Sequence, residues 1–125
     1  MQSLSILIVQ ADGRVGELLV ANLRTHFREI RVVRGLHELW EKPFQNQEPY
    51  AVVVDLELVN FRELHEICGR YRNSAVICTH RLADDEMWVA ALAAGATDCC
   101  APSDILGILR AASDAHLRRP DVAAA

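Results

Sequence analysis

Five short apolar runs, each closed by a polar turn and followed by apolar residues at helical spacing, divide this chain. Leu4-Ser5-Ile6-Leu7-Ile8-Val9 ends at Gln10-Ala11-Asp12-Gly13 and reads as a buried strand. Val15, Leu18, Leu19, Leu23 and Phe27 then recur on one face, which predicts an amphipathic helix over 14–27. The pattern repeats with a strand at 30–33 and a short helix through Leu36, Leu39 and Trp40 that stops near Pro43. A polar loop over 45–49 leads to Ala51-Val52-Val53-Val54-Asp55, the clearest strand, and to a helix through Phe61, Leu64, Ile67 and Cys68. Ala75-Val76-Ile77-Cys78-Thr79 is the fourth strand. Asp84-Asp85-Glu86 opens the fourth helix, where acidic groups complement the dipole, and Gly95 closes it. Residues 98–101 form a short fifth strand, and Pro102 and Ser103 start a last helix that fades near Pro120.

Strands alternating with helices require a parallel sheet with helices on both faces, because a parallel crossover needs a dozen or more residues. Function in such sheets lies at the C-terminal strand ends, where strand order reverses. The residues that follow the strands are Gln10, Ala11, Asp12, Asp55, Thr79, His80, Ala101 and Pro102.

The 125 residues suit one domain, expected over 1–119, with 120–125 a disordered tail or the start of a linker. A net charge of -4 with scattered basic residues argues against nucleic acid as a partner; only Arg118-Arg119 forms a basic pair. No apolar stretch approaches the roughly 20 residues that span a bilayer, and the N-terminus lacks a secretory signal, so no membrane partner is expected. Cys68, Cys78, Cys99 and Cys100 show no CxxC spacing and read as reduced thiols of a cytoplasmic protein.

In order and spacing the chain resembles the receiver domain of two-component response regulators from Ile6 to about Ala112. Ile6-Leu7-Ile8-Val9 resembles its first strand, Tyr50 through Leu56 its third strand with the terminal aspartate, and Val76-Ile77-Cys78-Thr79 its fourth strand with the terminal Thr/Ser. Residues 91–98 are similar to the segment leading into the fifth strand, and Ala101-Pro102 stands where that family has Lys-Pro. The resemblance implies a flavodoxin-like doubly wound sheet of order 2-1-3-4-5 with five helices. It also implies that Asp55 is the candidate phosphoacceptor for a histidine kinase and Thr79 a phosphoryl contact. In that family an acidic pair after the first strand holds Mg²⁺, and a lysine neutralises the phosphoryl oxygens as charge develops.

This chain departs from that set. Gln10 and Ala11 replace the acidic pair, with Asp12 one place further on, and Ala101 replaces the lysine. Val59 stands for the usual proline, His80 for a small residue, and the aromatic switch position falls near Asp98 or Cys99. Asp12 and Asp55 alone would make a weak Mg²⁺ site at best, since Mg²⁺ demands an octahedral oxygen shell. Losing the lysine contact removes a charge-assisted bond worth roughly 1.5–3 kcal/mol.

Each departure has two readings. Asp55 is either a phosphoacceptor or a turn residue; Asp12 is either a cation ligand or the N-cap of the first helix. His80 gates the pocket, substitutes for the missing cation, or faces solvent. Cys99 and Cys100 point to opposite faces, so only one can join Cys78, and buried structural thiols outweigh a soft-metal site. Trp88 either contacts a partner or covers its neighbour, and the alanine-rich fourth helix suits a homodimer through the fourth helix, fifth strand and fifth helix. Three functions follow: a protein-interaction module without strong phosphorylation, a working receiver phosphorylated on Asp55, or a small-molecule or metal binder around His80. None makes the chain an enzyme beyond self-catalysed aspartyl phosphorylation.

Overall fold

The computed structural model describes residues 4–41 and 48–117. The expected stop at Pro43, most of the loop over 45–49, the Arg118-Arg119 pair and the tail lie outside them. The chain order is β1 (Ser5–Val9), α1 (Gly13–Leu23), β2 (Glu29–Val33), α2 (Leu36–Leu39), β3 (Ala51–Asp55), α3 (Phe61–Arg70), β4 (Ala75–Thr79), α4 (Asp85–Ala93), β5 (Asp98–Cys100) and α5 (Ile105–Leu117). All pairings are parallel and the strand order is β2-β1-β3-β4-β5, the doubly wound arrangement that the resemblance implies.

The strands are apolar throughout because both faces are covered, and alternate residues serve different layers. Leu7, Val9, Val52, Val54, Val76 and Cys78 pack with Leu39, Leu64, Ile67 and Ala91 of α2, α3 and α4. Ile6, Ile8, Ala51, Val53, Ala75 and Ile77 pack with Leu19 and Leu23 of α1 and Ile108, Ala111 and Ala112 of α5. Each fully buried aliphatic side chain of this kind contributes roughly 1.5–3 kcal/mol relative to exposure.

Helix ends explain most boundary shifts. Helix α1 stops at Leu23, short of the predicted Phe27. Residues 24–26 turn, and the Phe27 ring stays buried by reaching Tyr50, 6.2 Å away between centroids, so its helical spacing reflects a tertiary contact. Asn60 and Glu63 form a reciprocal capping box at α3. Asp84 caps α4 by accepting from Met87 N at 2.9 Å. Gly95 follows α4 at φ +112°, and a Cβ there would lie 3.1 Å from Cys68 Cβ, so both conformation and space select glycine. Helix α5 begins at Ile105 rather than Pro102, because Asp104 N bonds to Ala101 O in a turn and the Asp104 carboxylate accepts from Gly107 N.

The four cysteines are free thiols. Cys78 and Cys99 are cross-strand partners in the α2–α4 layer, where Cys68 also packs, while Cys100 belongs to the α1–α5 layer. Burial pushes the Cys68 thiol up to about 11 and Cys100 up to about 12, and raises Cys78 further. Among the described residues no group of three or more His, Cys, Asp or Glu is placed to hold a metal ion, and no helix is long and apolar enough to cross a membrane.

Candidate functional site at the strand ends

The register of β3 and β4 sets the site. Asp55 and Thr79 are direct cross-strand partners at the last position of each strand, and Leu56 N bonds to Thr79 O at 2.9 Å just beyond them. Asp55 is half-buried, and one carboxylate oxygen accepts from Glu57 N at 3.0 Å. Burial raises its pKa above the ordinary value of 3.8. The Glu57 amide opposes that rise, the Glu57 carboxylate adds to it, and the positive ends of His80 and Arg81 pull it down.

Thr79 is wholly buried, and its hydroxyl has no hydrogen-bond partner among the described residues. Buried polar groups are ordinarily paired, so the Thr79 hydroxyl is an exception at the end of the strand next to that of Asp55.

The turn after β1 is organised locally. Gln10 is buried, and its side-chain oxygen accepts from Asp12 N at 2.9 Å. Asp12 is the N-cap of α1, accepting from Arg14 N at 2.9 Å and Val15 N at 3.3 Å. Ala11 offers no side-chain ligand. A Mg²⁺ ion would therefore find the Asp55 carboxylate, an already engaged amide oxygen and an Asp12 carboxylate whose Oδ1 caps a helix, with no third acidic side chain placed to join them among the described residues. These residues do not fit a Mg²⁺ site, whose octahedral shell needs oxygens free to converge.

His80 N bonds to Cys100 O at 3.1 Å, which holds the loop after β4 to β5. Its ring Nδ1 accepts from Leu82 N at 2.9 Å, which ties the ring to its own loop. Ala101 occupies the turn after β5. The chain's single lysine, Lys42, lies outside the described residues.

Sequence reasoning missed the shortest ion pair among the described residues. Arg81 Nε donates to Glu57 Oε2 at 2.9 Å and Arg81 Nη2 to Glu57 Oε1 at 2.6 Å, a two-point clasp between the loops after β4 and β3. The clasp holds the Glu57 carboxyl below its usual range and raises Arg81, whose guanidinium also feels Asp55 and Asp12. The available signal was positional: Glu57 and Arg81 carry opposite charges two residues beyond Asp55 and Thr79 respectively.

No protein-family model and no curated protein sequence matches the chain. Solved structures do. The chain is similar to the N-terminal signal receiver domain of a two-component response regulator from Bacteroides fragilis, with 24% identity and a TM-score of 0.77 over 92% of this chain and 98% of that one. It is also similar to the signal receiver domain of a DNA-binding response regulator from Colwellia psychrerythraea 34H, at 21% identity and a TM-score of 0.74 over 92% and 99% of the two chains. The beryllofluoride-activated NtrC4 receiver domain dimer matches at 19% identity and a TM-score of 0.75 over 90% and 96%. The chain has the fold of response-regulator receiver domains.

Proposed function

We propose that this domain is a receiver-type signalling module of the two-component class that acts mainly through protein contacts, with weak or no metal-dependent phosphotransfer. The carrying observation is the turn after β1. Asp55 and Thr79 keep the paired strand-end positions, while Gln10 is bonded to Asp12 N and Asp12 to the start of α1. A carboxylate attacking a phosphoryl group needs a cation to neutralise the developing charge, and these residues recruit no divalent one. On this reading Asp55 is the marker of the site, Thr79 its hydroxyl donor and His80 a loop anchor beside it. The module is not an enzyme beyond self-catalysed aspartyl phosphorylation, and it works in the cytoplasm.

Its partner on this reading is a histidine kinase or another signalling protein, or a second copy meeting it through α4, β5 and α5. That face carries half-exposed Trp88, exposed Val89 and exposed Leu106, beside a groove of about 290 Å³ lined by Asp98, Asp104, Arg110 and Asp114. Aromatic and apolar side chains rimmed by charge are the composition of contact surfaces.

A second reading, a working receiver phosphorylated on Asp55, is favoured by the Thr79 hydroxyl, which has no partner among the described residues and lies across from the carboxylate. Titration with Mg²⁺ followed by acetyl phosphate separates the two. The interaction module shows no saturable Mg²⁺ shift of the Asp55 and Glu57 amides and substoichiometric phosphoryl mass that Mg²⁺ does not increase. Saturable shifts with stoichiometric, Mg²⁺-dependent phosphorylation establish the second reading instead.

A further inference from the structure

We propose that Arg81 is the cation of this crevice, and that it neutralises a phosphoryl-type anion seated on Asp55 without a divalent metal. The inference rests on the receiver-type reading of the crevice. Three features of the geometry support it.

The clasp is in the right place. Glu57 donates its backbone N–H to Asp55 and accepts the Arg81 guanidinium on its side chain, so one residue joins the carboxylate to the cation. The Asp55–Thr79 register brings the two loops together from adjacent strands.

The guanidinium has capacity. Arginine carries five N–H donors in a planar fork that matches phosphoryl oxygens, and two are engaged by Glu57, leaving three. The Arg81 side chain is 75% exposed and that of Glu57 31%, so the pair sits in solvent where ion pairs contribute little and exchange readily. An incoming dianion offers more charge than the Glu57 carboxylate and would draw the fork toward Asp55.

The opposite wall already has a donor. The buried Thr79 hydroxyl has no partner among the described residues and lies across from Asp55, so an anion that displaces the atoms over it would receive a hydrogen bond from the closed side.

Beryllofluoride tests the proposal as a phosphoryl mimic. An Asp55 carboxylate oxygen forms a coordinate bond to beryllium and a beryllium-bound water leaves; nothing is oxidised or reduced. The wild-type chain and its Arg81→Gln, Glu57→Gln and Asp55→Asn variants are titrated with beryllofluoride in EDTA and again in Mg²⁺, following the amide resonances of Glu57 and Thr79. Wild type is expected to saturate in EDTA, with a midpoint that Mg²⁺ changes by less than about twofold. Arg81→Gln should weaken binding about tenfold or more, through loss of a charge-assisted contact. Glu57→Gln should tighten it about threefold by removing the competitor for the guanidinium. Asp55→Asn should abolish it.

Binding that requires Mg²⁺ overturns the proposal and the interaction-module reading together, leaving an ordinary metal-dependent receiver. Wild type that binds in neither condition overturns the proposal alone, as does equal binding by wild type and Arg81→Gln.

Discussion

Thr79 faces Asp55 across the β3–β4 pair with a hydroxyl that is wholly buried and bonded to nothing among the described residues. Leaving a buried hydroxyl unpaired costs about 1–3 kcal/mol. Thr79→Val keeps the shape and removes the orphan, so it should stabilise the fold by about 1 kcal/mol or more in urea denaturation. A neutral or destabilising result means that the hydroxyl is satisfied in solution.

Asp55 itself should act against stability at neutral pH. Its folded-state pKa lies above 3.8, so the native state binds its proton more tightly than the unfolded chain does. Stability from this group is therefore present at low pH and declines as pH rises through the raised value. Asp55→Asn, which can still accept from Glu57 N, should be more stable than wild type near neutral pH. The difference should shrink as pH falls toward 3.8. Parallel urea curves across that range would show the convergence, and a constant gap would contradict it.

Asp12 offers a test of structural against metal chemistry. Its carboxylate accepts from the first amides of α1. Asp12→Ala should cost about 1 kcal/mol of stability, the ordinary value of an N-cap, while leaving the response to Mg²⁺ unaltered. A large change in Mg²⁺ response with stability intact would return Asp12 to the role of ligand.

Gly95 links α4 to the layer beneath it. At φ +112°, and with Cys68 Cβ 3.1 Å from the place an alanine methyl would take, Gly95→Ala meets both backbone strain and a close contact. Thermal melts should show a loss of more than about 1 kcal/mol, whereas Gly35→Ala, with open space around it, serves as the mild comparison.

Some of this was legible in the order of residues. Strands β3 and β4 announce themselves because each is buried on both faces, so every position is apolar until Asp55 and Thr79 close the runs. The loss of the acidic pair and of the lysine was equally plain at Gln10, Ala11 and Ala101. The Glu57–Arg81 clasp was not, since it joins residues 24 apart and exists only through the register of two strands. Nor could spacing show that the Thr79 hydroxyl has no partner among the described residues, because that depends on what the surrounding loops withhold. Phe27 misled for a related reason: a residue at helical spacing can be buried by a distant ring rather than by its own helix.

The indole N–H of Trp88 donates to Asp98 at 2.8 Å, and the same carboxylate oxygen accepts from Cys99 N. Helix α4 is thereby buttoned to β5 at the surface. A displacement of α4 along the sheet edge would have to break this bond first. With Trp40, the chain's other tryptophan, replaced by Phe, the emission of Trp88 would read that break, making this side chain both the fastener and its own gauge.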